Sequence, residues 1–231
     1  VSMGMVQLSD RKMSSRTGDV LTVDWLIDEV RSRVKPIVTE QKVSSEEAAL
    51  IAEQITIGAI KYSVLKVGTG VTAAFDIEKS VSLEGNSGPY LQYTYARTQS
   101  VLRKAGQSFH FYGLMELDSR TPRGICDLRR NDKGSENDKE QRVLRNEELD
   151  LLRMIVRFED VVREAAERYS PNIISNYLFE LAQVFNLFYQ RLPILKVGAE
   201  ERVFRLGLTV AVGKVIRLGL DLLGIKAPER M

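Results

Sequence analysis

Residues 85–97 read GNSGPYLQYTYAR, and this sequence predicts the start of an amphipathic helix. Pro89 suits the first turn, because that position needs no backbone N–H and has the φ angle that proline fixes. The helix is expected to run from about Gly88 to Lys104 and to end at Gly106. On a helical wheel, one face carries Leu91, Tyr95, Thr98 and Leu102, and the neighbouring face carries Tyr90, Tyr93, Arg97 and Lys104. Tyrosines and cations are therefore predicted to lie beside the buried face of this helix.

The bulk composition limits the classes of function. The chain has 231 residues, enough for one or two domains, with 33 basic and 31 acidic side chains. This near-neutral balance does not itself indicate nucleic-acid binding, although a local basic patch would be enough for it. The single cysteine, Cys126, and the single histidine, His110, disfavour a zinc site or a cysteine hydrolase, so no metal is expected. No long apolar run or signal peptide stands out, so we expect a cytoplasmic protein that does not contact a membrane.

Upstream of residue 85 the pattern is also helical. Thr22 is a candidate N-cap for a helix that should end before Pro36, because proline disfavours a helical residue before it. Ser44 and Glu47 form a capping-box pattern that predicts a second, long helix. Residues 75–77 remain open between a strand and an extended connector.

Downstream, three amphipathic helices are predicted. The first is expected to be capped by Asn146, the second to run from Pro171 to Pro193, and the third from Ala199 to a C-terminal cap at Gly224. The apolar stripe of the first helix is predicted to comprise Leu151, Ile155, Phe158, Val162, Ala165 and Tyr169. Three such helices can bury a shared core, so a helical bundle is predicted.

The fold class is therefore mainly α, with three parts. Residues 1–106 hold a loop and connecting helices, and residues 142–231 form the bundle. Between them, residues 107–141 are predicted to be a flexible linker or insertion, because residues 131–138 have too little apolar content to pack.

Two further motifs flank the helix at residue 88. Residues 12–16 read KMSSR, and the chain ends on APERM at residues 227–231. Together with GPYLQYTYAR, these motifs resemble arginyl-tRNA synthetases in their type and order. KMSSR is similar to the KMSKS signature loop of class I aminoacyl-tRNA synthetases, and the bundle resembles their DALR-type anticodon-binding domain. The resemblance covers nearly the whole chain and implies the end of a catalytic region followed by an anticodon-binding domain.

The resemblance implies an ATP-binding loop at residues 12–16. Lys12 and Arg16 would act catalytically by stabilising charge on the pyrophosphate of Mg-bound ATP. Ser14 and Ser15 would donate hydrogen bonds, and Met13 would complete the loop. Because Ser15 stands where the general signature has its second lysine, Arg16 or a residue outside the chain would take over that role.

The resemblance also implies contacts to arginine tRNA. Tyr90, Tyr93 and Arg97 would lie where the catalytic core and the acceptor arm approach each other. Tyr189 and the terminal Met231 would lie near the anticodon loop. The ordinary alternative is that these tyrosines pack in a core and that Met231 belongs to a frayed terminus.

Class I synthetases also need a histidine signature, which a chain with only His110 cannot contain. ATP and arginine would therefore bind mainly through a missing N-terminal region, and this chain alone is expected to be inactive. Val1-Ser2-Met3 suggests a cut or a cloning junction. The expected function is that of a monomeric arginine–tRNA ligase, with no tightly bound cofactor. The alternative is a non-catalytic tRNA-binding or scaffold module.

Overall fold

The computed structural model of the chain describes residues 4–9, 22–39, 44–106 and 144–231. Within these ranges most residues are helical, so the predicted mainly α fold is confirmed. The predicted linker at residues 107–141 lies outside the described residues. The elements follow in the order β1 (Val6–Leu8), α1 (Val23–Thr39), α2 (Ser45–Leu65), β2 (Ala73–Phe75), α3 (Ile77–Val81), α4 (Gly88–Ala105), α5 (Asn146–Val156), α6 (Phe158–Glu167), α7 (Pro171–Arg191) and α8 (Ala199–Leu222).

A smaller core forms between the two strands and helices α1 to α3. β1 and β2 pair in parallel, with Leu8 opposite Phe75. The segment that the sequence left open thus ends a strand and then begins a helix, because Asp76 caps α3 by accepting a hydrogen bond from the backbone N–H of Lys79 at 3.1 Å. The buried residues of this core are Leu8, Val30, Val34, Val38, Ile51, Ala52, Ile55, Ala59, Phe75 and Val81.

A larger core joins α4 to the four downstream helices. Its fully buried side chains include Leu151, Leu178, Phe185, Phe188 and Ile216. It also takes in residues from before the predicted boundary at residue 106, namely Tyr62, Leu91, Tyr95 and Val101. Helix α4 therefore packs as part of the same body as the predicted bundle.

Helix α2 is the central helix. It is long and apolar enough to cross a membrane by length and composition, the one such helix in the part of the chain that the structure describes. It packs instead against α1, α3, α4 and α7, with Ile55 and Ala59 fully buried on the smaller core and Tyr62 on the larger one. This packing on several sides accounts for its apolar composition.

Helix α1 continues through a proline. The prediction that it ends before Pro36 is wrong, since the helix extends to Thr39. Pro36 leaves the carbonyl of Ser32, four residues earlier, without its helical N–H donor, so continuing the helix costs one backbone hydrogen bond. Val34 and Val38, which flank Pro36, are both buried in the smaller core, and that packing favours continuing the helix.

The first bundle helix is two helices, and its predicted N-terminus and stripe need correction. Asn146 is the first helical residue and not the cap; the Glu148 carboxylate accepts a hydrogen bond from the N–H of Arg145, the capping residue. The helix breaks between α5 and α6, and Tyr169 lies outside the apolar stripe with 70% of its surface exposed. Tyr169 has φ 52°, and the N–H of Ser170 donates to the carbonyl of Ala165. This left-handed ending of α6 turns the side chain of Tyr169 away from the core.

This ending predicts a stabilising substitution. A left-handed conformation strains a tyrosine but not a glycine, so Tyr169→Gly is expected to raise the free energy of unfolding by about 0.5–1 kcal/mol after the entropy cost of glycine. Urea denaturation of the two proteins measures the difference. The matched control is Tyr169→Ala, because alanine, like tyrosine, is strained in the left-handed conformation. It is expected to give no increase in the free energy of unfolding, and equal effects of the two substitutions would contradict the explanation by backbone strain.

Candidate nucleic-acid interface

The predicted ATP-facing loop at residues 12–16 lies outside the described residues. The elements on either side of it are described: β1 ends at Leu8 and α1 begins at Val23. The N–H of Trp25 donates a hydrogen bond to the Thr22 hydroxyl at 3.2 Å, so the predicted capping role of Thr22 is confirmed. The loop thus connects, in sequence, the carboxyl end of a parallel strand to a capped helix.

The start of α4 is fixed by local chemistry and by a close helix crossing. The hydroxyl of Ser87 accepts a hydrogen bond from the N–H of Tyr90 at 3.1 Å, and Pro89 occupies the first turn as predicted. A Cβ added to Gly88 would lie 2.5 Å from the carbonyl oxygen of Gly58 on α2. Only glycine allows the two backbones to approach this closely, and the approach sets the position of every side chain along α4.

Side chains of α4 and α7 meet in a cluster, which we call the aromatic–arginine cluster, made of Tyr90, Tyr93, Arg97, Asn186 and Tyr189. The guanidinium of Arg97 lies 4.8 Å from the ring centre of Tyr93 and 5.1 Å from that of Tyr189. Arg97 Nη1 donates to Asn186 Oδ1 at 2.5 Å, and Asn186 Nδ2 donates to the hydroxyl of Tyr90 at 2.8 Å. These contacts hold a cation between two aromatic faces, an arrangement stabilised by the ring quadrupoles.

The cluster is supported from behind and open in front. Phe179 packs edge-on against Tyr90 at 5.8 Å, and Phe185 lies 6.4 Å from Tyr189. Tyr189 is 38% exposed, and the cluster residues on α4 are half-buried. Within the described ranges no carboxylate forms an ion pair with Arg97, so its positive charge is not neutralised there. A positive charge of this kind can bind a phosphate, and the exposed aromatic face beside it can stack on an unpaired base.

The C-terminal tail, residues 224–231, is anchored to the helices. Lys61 Nζ donates to the carbonyl of Gly224 at 2.5 Å, and Arg103 Nη1 donates to the carbonyl of Glu229 at 3.1 Å. Gly224 has φ 67°, which confirms it as the glycine that ends α8. Met231 packs half-buried against the smaller core. The tail therefore runs from the larger core to the smaller one, which excludes the alternative of a frayed terminus.

Comparison with known protein families agrees with this geometry. Residues 91–231, which include most of the aromatic–arginine cluster and the whole tail, match the DALR anticodon binding domain. The chain belongs to the DALR anticodon-binding domain family. Residues 1–75 match the catalytic domain of class I tRNA synthetases of the arginine type. The predicted resemblance of this DALR-family chain to arginyl-tRNA synthetases is thereby confirmed.

Individual relatives support the same assignment. An arginine–tRNA ligase from Bacteroides thetaiotaomicron is 39% identical over the whole chain, which covers 36% of that protein. The structure of the Thermus thermophilus arginyl-tRNA synthetase superposes with a TM-score of 0.77 and 30% identity over 99% of the chain, covering 35% of that protein. The Plasmodium falciparum enzyme, at 20% identity, shares the fold with a TM-score of 0.70 over the whole chain and 35% of its own. The DALR-family chain thus spans about a third of the length of these relatives.

The structure brings four of the five predicted tRNA-binding residues together. Tyr90, Tyr93 and Arg97 were expected near the acceptor arm and Tyr189 near the anticodon loop, yet all four belong to one cluster. Because the acceptor arm and the anticodon loop are opposite ends of a tRNA, one small cluster cannot contact both. Met231 is not among the contacts described for this cluster and lies against the smaller core.

Sequence reasoning missed one member of the cluster and one buried ion pair. Asn186 lies three residues before Tyr189 on α7, a spacing that places both on the same helix face and could have identified it. The side chain of Arg205 on α8 is only 3% exposed and pairs with Glu148 at 2.8 Å. An arginine on a largely apolar helix gives no signal of the carboxylate 57 positions away with which it pairs.

Three of the groups with shifted pKa values lie near α2 and α7 and have structural roles. Burial raises the pKa of Tyr62, whose hydroxyl lies 2.6 Å from the side-chain oxygen of Asn86. Burial also raises the pKa of Tyr177, which donates to the carbonyl of Met154 at 2.7 Å. Burial lowers the pKa of Lys66, against the opposing effect of Asp76. These groups hold helices together and do not face the cluster.

Proposed function

We propose that the chain is part of an arginine–tRNA ligase, in which it supplies the ATP-facing loop and binds the anticodon end of arginine tRNA. The observation that carries the proposal is the position of Arg97 between Tyr93 and Tyr189, two aromatic rings at the surface of the DALR family match. Similarity over the whole chain to arginine–tRNA ligases favours the enzyme over a non-catalytic scaffold module.

The aromatic–arginine cluster is proposed to hold one unstacked base of the anticodon loop. Tyr189 offers the exposed face for stacking, Arg97 binds a phosphate, and Tyr90 and Tyr93 fix the guanidinium. We assign the cluster to the anticodon loop and not to the acceptor arm, because Tyr93, Arg97 and Tyr189 all lie within the DALR match. Met231 is proposed to contribute a second contact from the anchored tail.

The proposal for catalysis concerns the loop at residues 12–16. Lys12 and Arg16 stabilise the charge that develops on the pyrophosphate of Mg-bound ATP, with hydrogen bonds from Ser14 and Ser15 beside Met13. The histidine signature and the arginine pocket come from the part of the enzyme beyond this chain. A monomeric, cytoplasmic enzyme without a tightly bound cofactor or metal completes the proposal.

Substitution of Tyr189 tests the anticodon contact. Stacking of a base on an aromatic side chain contributes about 1–3 kcal/mol, so Tyr189→Ala is expected to weaken binding of arginine tRNA by about 5- to 150-fold. Filter binding at fixed salt measures the affinity, for the intact tRNA and for one with a scrambled anticodon loop. Only the intact tRNA should lose affinity.

Leu187→Ala is the matched control, since Leu187 lies on the same helix and is 41% exposed against 38% for Tyr189. It should leave tRNA binding unchanged. A folded Tyr189→Ala variant that still discriminates normally between the two tRNAs would rule out the contact, and an unfolded one would make Tyr189 a core residue.

A further inference from the structure

Gln92 of α4 is a fully buried amide that connects three segments of the chain. Its Nε2 atom donates to the carbonyl of Gln54 on α2 at 3.0 Å and to the carbonyl of Lys226 in the C-terminal tail at 2.7 Å. An amide nitrogen carries two hydrogens, so both are used. Among the anchors of the tail, Gln92 is the buried one, because the bonds from Lys61 and Arg103 lie at the exposed surface.

The orientation of this amide is fixed by its surroundings. Turning it over would place Oε1 against two carbonyl oxygens, which cannot donate a hydrogen bond. In the observed orientation Oε1 is buried and accepts no hydrogen bond from the described residues. Gln92 therefore makes both of its donor bonds while its acceptor oxygen stays unpaired there. A Cβ on Gly58 would lie 2.6 Å from Nε2, so α2 carries a glycine where the amide needs room.

We propose that Gln92 is a positioning residue for the C-terminal tail: it fixes the carbonyl of Lys226 and thereby places Met231 against the smaller core. The larger core holds the tail at Ile225, and Met231 reaches the smaller core six residues later. Gln92 binds between these two points, so its loss releases Lys226 and leaves this part of the tail to the exposed bond from Arg103 to the carbonyl of Glu229 and to the packing of Ala227. The role in tRNA binding rests on the proposed function of Met231, whereas the anchoring of the tail does not.

The test measures how fast carboxypeptidase Y releases residues from the C-terminus of the 231-residue chain. Gln92→Met keeps the length of the side chain and removes both hydrogen bonds, which should raise the rate of release by roughly 5- to 150-fold. The matched control is Thr56→Val, a buried side chain on α2 that bonds only to the carbonyl of Ala52 in its own helix. It should release residues at the wild-type rate.

Gln92→Glu separates positioning from simple packing. Its ionised carboxylate would face two carbonyl oxygens, whereas the protonated form can donate to one of them. Release relative to wild type should therefore be fastest at pH 7.5 and should fall as the pH is lowered to 5. Gly58→Ala, which pushes on the amide without changing it, should also speed release and provides a second route if a Gln92 variant does not fold.

The outcomes divide clearly. The positioning role is overturned if folded Gln92→Met or Gly58→Ala releases residues at the wild-type rate. It is also overturned if the rate of release from Gln92→Glu does not depend on pH, or if Thr56→Val releases residues as fast as Gln92→Met. Faster release accompanied by weaker binding of arginine tRNA supports both the positioning role and the contact by Met231. Faster release with unchanged tRNA binding, matched by unchanged binding after deletion of Met231, supports the positioning role and removes Met231 from the proposed interface.

Discussion

A variant with Lys12→Ala and Arg16→Ala, made in the full-length ligase proposed here, is expected to turn over more slowly than wild type by a factor of at least about 10²–10³. The reason is that these cations would act on charge that develops as pyrophosphate departs, and loss of one preorganised group of this kind costs about that factor. An interaction made mainly in the transition state lowers kcat and kcat/KM together. Apparent affinity for arginine tRNA should change little, because the proposed tRNA contacts lie on α4, on α7 and in the C-terminal tail.

Steady-state aminoacylation at saturating arginine measures this effect. Arg11→Ala is the control, since Arg11 directly precedes the KMSSR sequence and would test whether any nearby cation matters. Near-normal turnover of the double variant, or an equal loss in the control, would remove residues 12–16 from the catalytic machinery.

The second large effect concerns stability. Glu148→Leu is expected to lower the free energy of unfolding by about 3–5 kcal/mol, because it leaves the buried charge of Arg205 without its main partner. Among the described residues, the remaining ionic partner of Arg205 is Glu201, whose side chain is 43% exposed. The substitution also removes the carboxylate that bonds to the N–H of Arg145 at the start of α5.

A double-mutant cycle isolates the ion pair. Replacing both partners, as Glu148→Leu with Arg205→Met, should recover most of the loss, because two apolar side chains of similar size need no compensation for charge. Arg163→Ala is the matched surface control: its pair with Glu159 is largely exposed, so we expect a loss below about 1 kcal/mol. Guanidinium denaturation measures the wild type, the two single variants, the double variant and the Arg163→Ala control. A double variant as unstable as Glu148→Leu alone would show that packing, and not charge, sets the loss.

Much of the helical architecture could be predicted from local signals. The hydroxyl of Ser44 accepts from the N–H of Glu47 as the capping pattern indicated, and α7 begins at Pro171 as predicted. These signals work because a helix terminus is decided within one turn of chain. The same locality explains the error at Pro36, where burial of Val38 by other elements outweighed the preference of the backbone.

The candidate site was predictable only in part for the same reason. Helical spacing on α4 placed Tyr93 and Arg97 on one face, but nothing in either helix indicates that Tyr189 lies against Arg97, 92 positions earlier in the chain. Family resemblance identified these residues as candidates for tRNA binding. Their contact with one another depends on how α4 and α7 cross, which the sequence does not indicate. The buried amide of Gln92 gave no signal either, since a glutamine on a helix is ordinarily exposed.

The double role of α2 limits how this polypeptide can be cut for laboratory work. A gene fragment beginning after Leu65 would lack Tyr62, leaving apolar surface of the downstream helices open to water, and would lose the backbone partner of Gly88. A fragment ending before α4 would keep the strands but lose the helix that crosses α2. We therefore expect truncations in the segment between α2 and α4 to aggregate on expression. A soluble piece should need a cut that leaves both helices and the C-terminal tail together.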